Sequence, residues 1–232
     1  MTCDRQGEDL YWVVIRAWSS LGETRRLWFG RLYGESALKA KQDEFGVRPN
    51  CVMVDSGYKP KGDHGVYAAC IRYGWIAGKG DEAPFFWHTE RMDDGRRERV
   101  QKPWAELSYG DPGEGTANEG RTRAPLIRFS SPTMADRVHG LINRGLWVEP
   151  EYDEVDEMER EYRKQMAAEF KRPKLDRRTG KKVDVWTCPS GNNHAFDDSK
   201  MQVLMAMLAG LLPSGVELDA QTKTNGGDEG RA

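Results

Sequence analysis

The sequence contains little cysteine. Its four cysteines, Cys3, Cys51, Cys70 and Cys188, form no CxxC pair. A structural zinc site is therefore not expected, because such sites are usually built from closely spaced cysteine and histidine ligands. Four reduced thiols, most of them buried, are expected instead.

Long hydrophobic runs are also absent. The longest, residues 203–212, is shorter than the roughly 20 apolar residues that a membrane-spanning helix needs. Asp4 and Arg5 interrupt the start of the chain, so no secretory signal is expected there. These features predict a cytosolic protein without a membrane partner.

The chain has no strong net charge and no ATPase signature. Its formal net charge is −2, which argues against a protein that coats nucleic acid through bulk charge. A local basic strip beside an acidic site remains compatible with this balance. The GWIAGKG segment (74–80) does not satisfy GxxxxGK[ST], because Gly80 follows Lys79.

The hydrophobic patterning predicts an α/β domain over residues 1–213 and a polar, disordered tail over 214–232. Two antiparallel strands, Leu10–Trp18 and Thr24–Tyr33, are followed by a short buried strand at 51–54 that ends at Asp55. The remaining predicted strands are 75–80, 126–129 and 183–186, and the predicted helices are 36–45, 65–73, 131–143, 149–170 and 197–212. This alternation favours a mixed sheet with helices on both faces.

Two segments have no clear hydrophobic period. Residues 80–125 are rich in glycine, proline and charge, and 91–99 within them is expected to be a solvated loop or a hairpin. Residues 171–182 (KRPKLDRRTGKK) form a basic loop or hairpin. This basic segment is either a contact for DNA phosphates or simply a solvated surface.

Carboxylates stand at the ends of predicted elements. Asp4 precedes the first turn, Asp55 closes the buried strand, and Asp197 and Asp198 open the last helix. Functional groups gather at such positions in open sheets, so these side chains can converge. Clustered carboxylates repel one another unless a cation holds them. Hard oxygen ligands favour Mg²⁺ or Mn²⁺, and two such ions would activate water against a phosphodiester.

Each of these residues also has a purely structural interpretation. An aspartate after a strand is often a turn residue or a helix cap. Asp197 or Asp198 can stabilise the helix start through the helix dipole. His194, which lies close to them in sequence, is either a site residue or a hydrogen-bonded structural histidine.

At these motifs the chain resembles the nuclease domain of lambda-type phage terminase large subunits. The matching segments, spread over about residues 2–212, are CDRQGEDLYWVVIRAW, VMVDSGYKPKGDHGVYAAC, GWIAGKG and VWTCPSGNNHAFDDSKMQVLMAMLAG. Asp-Ser-Gly and Asn-His-x-x-Asp are the most specific parts. The resemblance implies an RNase H-like fold and an endonuclease that cuts concatemeric DNA, leaving 5′-phosphate and 3′-hydroxyl ends.

The resemblance also implies the roles of individual residues. Asp4, Asp55 and Asp197 fall on the catalytic metal-ligand positions for two Mg²⁺ or Mn²⁺ ions, with Asp198 as the substitute for Asp197 and His194 behind the ligands. The expected contacts to double-stranded DNA are Lys59, Lys61, Arg177, Arg178, Lys181 and Lys182. The implied partners are the terminase ATPase domain, the small terminase subunit and the portal, in the cytoplasm of a phage-infected or prophage-carrying bacterium.

Two departures from the family leave alternatives open. The ATPase is absent, and only Met1–Cys3 precede Asp4, whereas the family's first strand begins earlier. Either the strand has been trimmed here, or the chain is a gene fragment in which Asp4 is poorly held. One alternative is a standalone RNase H-like resolvase or transposase-type nuclease, which junction-selective cutting would favour. The other is a non-catalytic packaging fragment that binds DNA or the portal.

Overall fold

The computed structural model describes residues 1–7, 9–57, 65–110, 123–177 and 179–213. Most described strands belong to one large sheet: β1 (Thr2–Arg5), β2 (Leu10–Trp18), β3 (Thr24–Tyr33), β4 (Met53–Asp55), β5 (Ile76–Asp81), β8 (Ser108–Gly110), β9 (Ala124–Ser130) and β10 (Trp147–Val148). Two hairpins stand apart, one formed by β6 (Phe86–Arg91) and β7 (Arg97–Lys102), the other by β11 (Phe170–Leu175) and β12 (Lys182–Thr187). The described helices are α1 (Gly34–Glu44), α2 (Gly65–Tyr73), α3 (Ser131–Asn143), α4 (Glu157–Met166) and α5 (His194–Leu208).

The large sheet is mixed, as the sequence predicted. Its strand order is β10-β3-β2-β1-β4-β5-β9-β8. β1, β4, β5 and β9 run parallel, whereas β2 is antiparallel to both β1 and β3. The short strand β1 therefore lies inside the sheet, where it is paired on both sides.

Helices cover both faces of this sheet. Alternate residues of a strand point to opposite faces, and β2 shows the consequence. Val13 packs in a buried cluster with Leu38 of α1, whereas Val14 packs with Tyr162 of α4. α2 joins the first layer, and α3 and α5 join the second. The chain is therefore an α/β protein with two helical layers.

The predicted charged helix at 149–170 was wrong at both ends. Only Glu157–Met166 is helical, and Phe170 begins β11. The helix starts late because the Asp156 side chain accepts a hydrogen bond from the Glu159 backbone N–H at 2.7 Å and caps it there. Periodicity alone overlooked this cap.

The segment at 80–125 contains more order than its composition indicated. β6 and β7 pair antiparallel from Phe86↔Lys102 to Arg91↔Arg97. Their residues are charged on both faces, so the hydrophobic alternation that reveals a half-buried strand is weak. Residues 111–122 lie outside the described residues, as does the predicted tail at 214–232.

The last helix is displaced from its predicted bounds of 197–212. α5 begins at His194, which places Asp197 in its first turn. It ends at Leu208, because Gly210 takes a positive φ of 71° that an L-residue rarely adopts. No helix in the described ranges is long and apolar enough to span a membrane.

The cysteine prediction held only in part. All four cysteines are free. Cys3 and Cys70 are buried, but Cys51 is exposed and Cys188 is partly exposed. The expectation that most would be buried was wrong, because Cys51 lies in a 3-10 turn rather than in the strand that follows it.

Candidate functional site

The predicted carboxylates meet at the carboxyl edge of the parallel strands. Asp4 lies near the end of β1, Asp55 ends β4, and Asp197 lies in the first turn of α5. All three line one cleft of about 280 Å³. Parallel neighbours end at the same sheet edge, so the topology itself brings these distant side chains together.

Asp4 is firmly held, which disfavours the alternative of a fragment in which Asp4 is poorly held. It lies within β1, opposite Trp12 of β2, and is only 4% exposed. His194 Nδ1 lies 2.8 Å from Asp4 Oδ2, and the Gln6 amide donates to the same oxygen at 2.9 Å. The His194 ring also stacks on Trp12, with 5.9 Å between centroids. These contacts fix the orientation of the carboxylate.

Asp55 takes part in a tight turn directly after β4. Its Oδ1 accepts a hydrogen bond from the Gly57 backbone N–H at 3.1 Å. A Cβ at position 57 would stand 3.2 and 3.3 Å from the two Asp55 oxygens. The Asp-Ser-Gly sequence therefore leaves room for this carboxylate, and a larger residue than glycine would crowd it.

Asp197 is paired with a buried lysine that the sequence analysis did not single out. Lys200 Nζ lies 2.8 Å from Asp197 Oδ1, 2.7 Å from Glu169 Oε2 and 3.1 Å from Ser131 Oγ. The Lys200 side chain is only 3% exposed, whereas that of Asp197 is 39% exposed. The lysine therefore neutralises two carboxylates at the base of the cleft.

The local charges perturb both members of the Asp197–Lys200 pair. Burial raises the pKa of the Asp197 carboxyl, and nearby Asp4 adds to this effect against the opposing influence of Lys200. Burial lowers the pKa of Lys200, but its carboxylate partners outweigh burial and the net shift is upward. The ammonium form of Lys200 is thus strongly favoured in this site.

Asp198 occupies a different environment from Asp197. It is fully buried, and its side-chain oxygens make no hydrogen bond of good geometry among the described residues, although the nearby Thr2 side chain acts to lower its pKa. Burial, followed by the charge of Asp4, raises the pKa of its carboxyl well above the ordinary value. The two neighbours therefore differ in kind, since Asp197 faces the cleft and Asp198 is enclosed by protein.

Oxygen donors of this kind suit a hard divalent cation. In the described ranges, however, no three His, Cys, Asp or Glu side chains lie close enough together to form a ready-made metal site. Lys200 holds Asp197, while His194 and Gln6 hold Asp4. The donor chemistry fits a metal, but the spacing of the donors does not, and Asp197 would have to exchange its lysine.

The predicted DNA contacts fall in two places. Lys59, Lys61 and Arg178 lie outside the described residues. Arg177, Lys181 and Lys182 are exposed near the tip of the β11–β12 hairpin. That tip is five residues along the strand from Phe170, or roughly 17 Å. These basic residues therefore lie at the far end of a hairpin whose base adjoins Glu169.

Several residues of the site were not predicted from the sequence, among them Asp81, Glu82, Glu169 and Lys200. Asp81 ends β5, the strand next to the one that Asp55 ends, so it has the same kind of position at a strand end as Asp55. Lys200 stands one helical turn after Asp197, so helical spacing places the two side chains next to each other. Glu169 carried no signal, because the loop that brings it to the cleft was predicted as helix.

Comparison of the chain with family models, with curated proteins and with solved structures gave no match.

Proposed function

We propose that the chain is a divalent-cation-dependent DNA endonuclease of the RNase H-like class, acting as the nuclease part of a phage DNA-packaging terminase. The observation that carries the proposal is the cleft itself. Five acidic side chains line it, and three of them, from β1, β4 and α5, meet at the edge where parallel strands end. Carboxylates gathered in this way are suited to holding cations that act on phosphodiesters.

The strand order supports the RNase H-like assignment. The five neighbouring strands β3-β2-β1-β4-β5 form a sheet in which β2 alone runs against the others. A mixed sheet with helices on both faces is what the resemblance to an RNase H-like nuclease implies. Asp4 and Asp55 lie on the central strands β1 and β4, and Asp197 lies on α5, as the proposal requires.

The side chains have distinct roles under this proposal. If Asp197 exchanged Lys200 for a cation and the donors moved closer together, Asp4, Asp55 and Asp197 would hold one or two Mg²⁺ or Mn²⁺ ions. These ions would supply an activated water and neutralise phosphate charge. His194 orients Asp4 through its Nδ1 contact. Lys200 keeps the carboxylates compatible with one another before a cation arrives, because its ammonium contacts Asp197 and Glu169.

Double-stranded DNA is the proposed substrate, and the exposed basic tip of the β11–β12 hairpin is the proposed phosphate contact. Phosphate contacts position a duplex without selecting its sequence. The choice of cutting site would thus come from the partners that the family resemblance implies: the terminase ATPase domain, the small subunit and the portal. The bacterial cytoplasm during infection or lysogeny is the corresponding location.

A second candidate is a non-catalytic packaging role in binding DNA or the portal. The pairing of Asp197 with Lys200 favours it, because a lysine already satisfies the carboxylate that a metal would need. The firm support of Asp4 by His194 and Gln6 favours the nuclease instead.

Nicking of supercoiled plasmid tests the nuclease. The protein is incubated with plasmid in Mn²⁺, Mg²⁺ or EDTA, together with Asp55→Asn, which keeps the side-chain shape but removes the charge. Asp43→Asn is the matched control, since Asp43 is exposed on α1 and pairs with Lys39. We expect metal-dependent nicking by the wild type and by Asp43→Asn, and only the EDTA background with Asp55→Asn.

The other outcomes are equally informative. Nicking that persists in Asp55→Asn would show that the proposed site is wrong. Absence of nicking by the wild type in both metals, with retained duplex binding, would support the non-catalytic candidate.

A further inference from the structure

The β6–β7 hairpin separates its charges by face. Opposite residues of an antiparallel pair share a face, and alternate residues change face. One face, here called the outer face, consists of Trp87, Thr89, Arg91, Arg97, Arg99 and Gln101. It carries three arginines and no acidic residue on these two described strands, whereas Glu90 and Glu98 stand on the opposite face.

Contacts with the rest of the protein identify the inner face. His88 Nε2 is hydrogen-bonded to the Trp104 carbonyl oxygen. The Lys102 ammonium lies 5.6 Å from the Trp104 ring centroid, and the Arg128 guanidinium lies 5.7 Å from that of Phe86. All six residues of the outer face are exposed. The arginines therefore point into solvent.

Repulsion between arginines on the outer face destabilises the hairpin, and an anionic partner would relieve it. Arg91 and Arg97 stand directly opposite each other, and like charges in such positions destabilise a hairpin. Arg99 is stacked over Trp87, with 4.7 Å from its guanidinium carbon to the ring centroid. Stacking restrains a planar guanidinium, which then loses less freedom when it binds phosphate.

The hairpin begins and ends at the rim of the carboxylate cleft. Asp81 and Glu82, just before β6, line that cleft. Trp104, just after β7, forms a bridge with Phe129, which also lines it. An arm of six-residue strands reaches about 20 Å from this rim.

We propose that the outer face of the β6–β7 hairpin binds the phosphate backbone of double-stranded DNA and steadies the duplex beside the cleft. This inference rests on the proposed nuclease function for its choice of partner. The outer face would be a second basic surface, in addition to the exposed tip of the β11–β12 hairpin. The chain has a net charge of −2, so this local concentration of arginine is not a by-product of a basic protein.

Duplex binding in EDTA tests the outer face independently of cutting. Fluorescence anisotropy with a labelled 30-base-pair duplex is measured at several salt concentrations. The test variant is Arg91→Ala/Arg97→Ala/Arg99→Ala. The charge-matched control is Arg25→Ala/Arg144→Ala/Arg160→Ala, which removes three exposed arginines elsewhere. Circular dichroism checks that both variants fold.

We expect the test variant to bind more weakly and to lower the slope of log binding constant against log salt by about 2 to 3, as lost phosphate contacts would. Two unrelated duplex sequences should be affected equally. An unchanged slope, or an equal loss in the control variant, would overturn the proposal. So would tighter binding of single-stranded RNA than of the duplex through the same arginines. Binding is measured without metal, so the result does not depend on whether the protein cuts DNA.

Discussion

Lys200 shows how a single buried charge can organise an acidic cleft. Carboxylates as close as Asp197 and Glu169 repel each other, and the ammonium between them converts this repulsion into two ion pairs. Removing one partner of a buried pair leaves the other uncompensated, which costs more than the pair contributes when intact. The lysine is therefore as much a part of the site as the aspartates.

Lys200→Met should destabilise the domain in EDTA by about 3 kcal/mol, because Glu169 is left buried without a counter-charge. Urea unfolding measures this free energy. Mn²⁺ should stabilise Lys200→Met more than the wild type, since Asp197 is then released for a cation.

A double variant provides the control for this prediction. Adding Glu169→Gln to Lys200→Met should recover part of the lost stability, because the unpaired charge is removed. Strictly additive losses from the two substitutions would contradict the proposed pairing.

The secondary-structure elements differed in how far their sequences predicted them. β2, β3, α2 and α3 were found at their exact bounds, since each combines a clear hydrophobic pattern with a glycine, proline or cap at its ends. Asp4, Asp55 and Asp197 were identified by their positions at element ends. The charged hairpins were predicted only as alternatives to loops, at 91–99 and 171–182, and their strand bounds were not predicted. Glu169 was not identified, because its placement depends on contacts between segments far apart in sequence.

Close packing between β5 and its neighbours predicts that alanine is tolerated differently at two glycine positions. A Cβ on Gly78 would lie 2.8 Å from the Met53 sulfur and 3.2 Å from the Met201 sulfur. Gly78→Ala should therefore cost about 1 kcal/mol or more, as overpacking does. A Cβ on Gly140 of α3 would instead enter open space, with no atom within 4 Å outside the helix's own backbone. Gly140→Ala should stabilise the helix by about 0.5–1 kcal/mol.

Urea denaturation of both alanine variants gives the comparison. The free energy of unfolding should fall in Gly78→Ala and rise in Gly140→Ala, because only the second position has free space around it. A gain in stability at position 78 would show that β4, β5 and α5 pack less tightly than these distances indicate.

The pH dependence of the domain's stability should come in part from His139. This α3 residue packs on Trp186 of β12 and Phe196 of α5, with centroid distances of 4.7 and 5.5 Å. Burial lowers its pKa below 6.5, Lys171 adds to the effect, and Asp136 and Glu169 oppose it. The unfolded chain therefore takes up this proton more readily than the folded one, and stability falls as the pH drops through about 6.5.

His139→Phe should weaken this acid sensitivity while keeping the aromatic packing. The measurement is the free energy of unfolding at pH 7.5 and pH 5.5 for both proteins. The wild type should lose more stability between the two values than the variant. Equal losses would assign the acid sensitivity to other groups.

The position of β1 also determines when the site can exist. Asp4 and its partner His194 are 190 residues apart in sequence, yet they touch at the centre of the sheet. During synthesis β1 emerges from the ribosome well before α5. A chain still being translated therefore lacks the completed cleft until α5 has left the ribosome. Any cutting activity of this cleft would begin only after α5 has been synthesised.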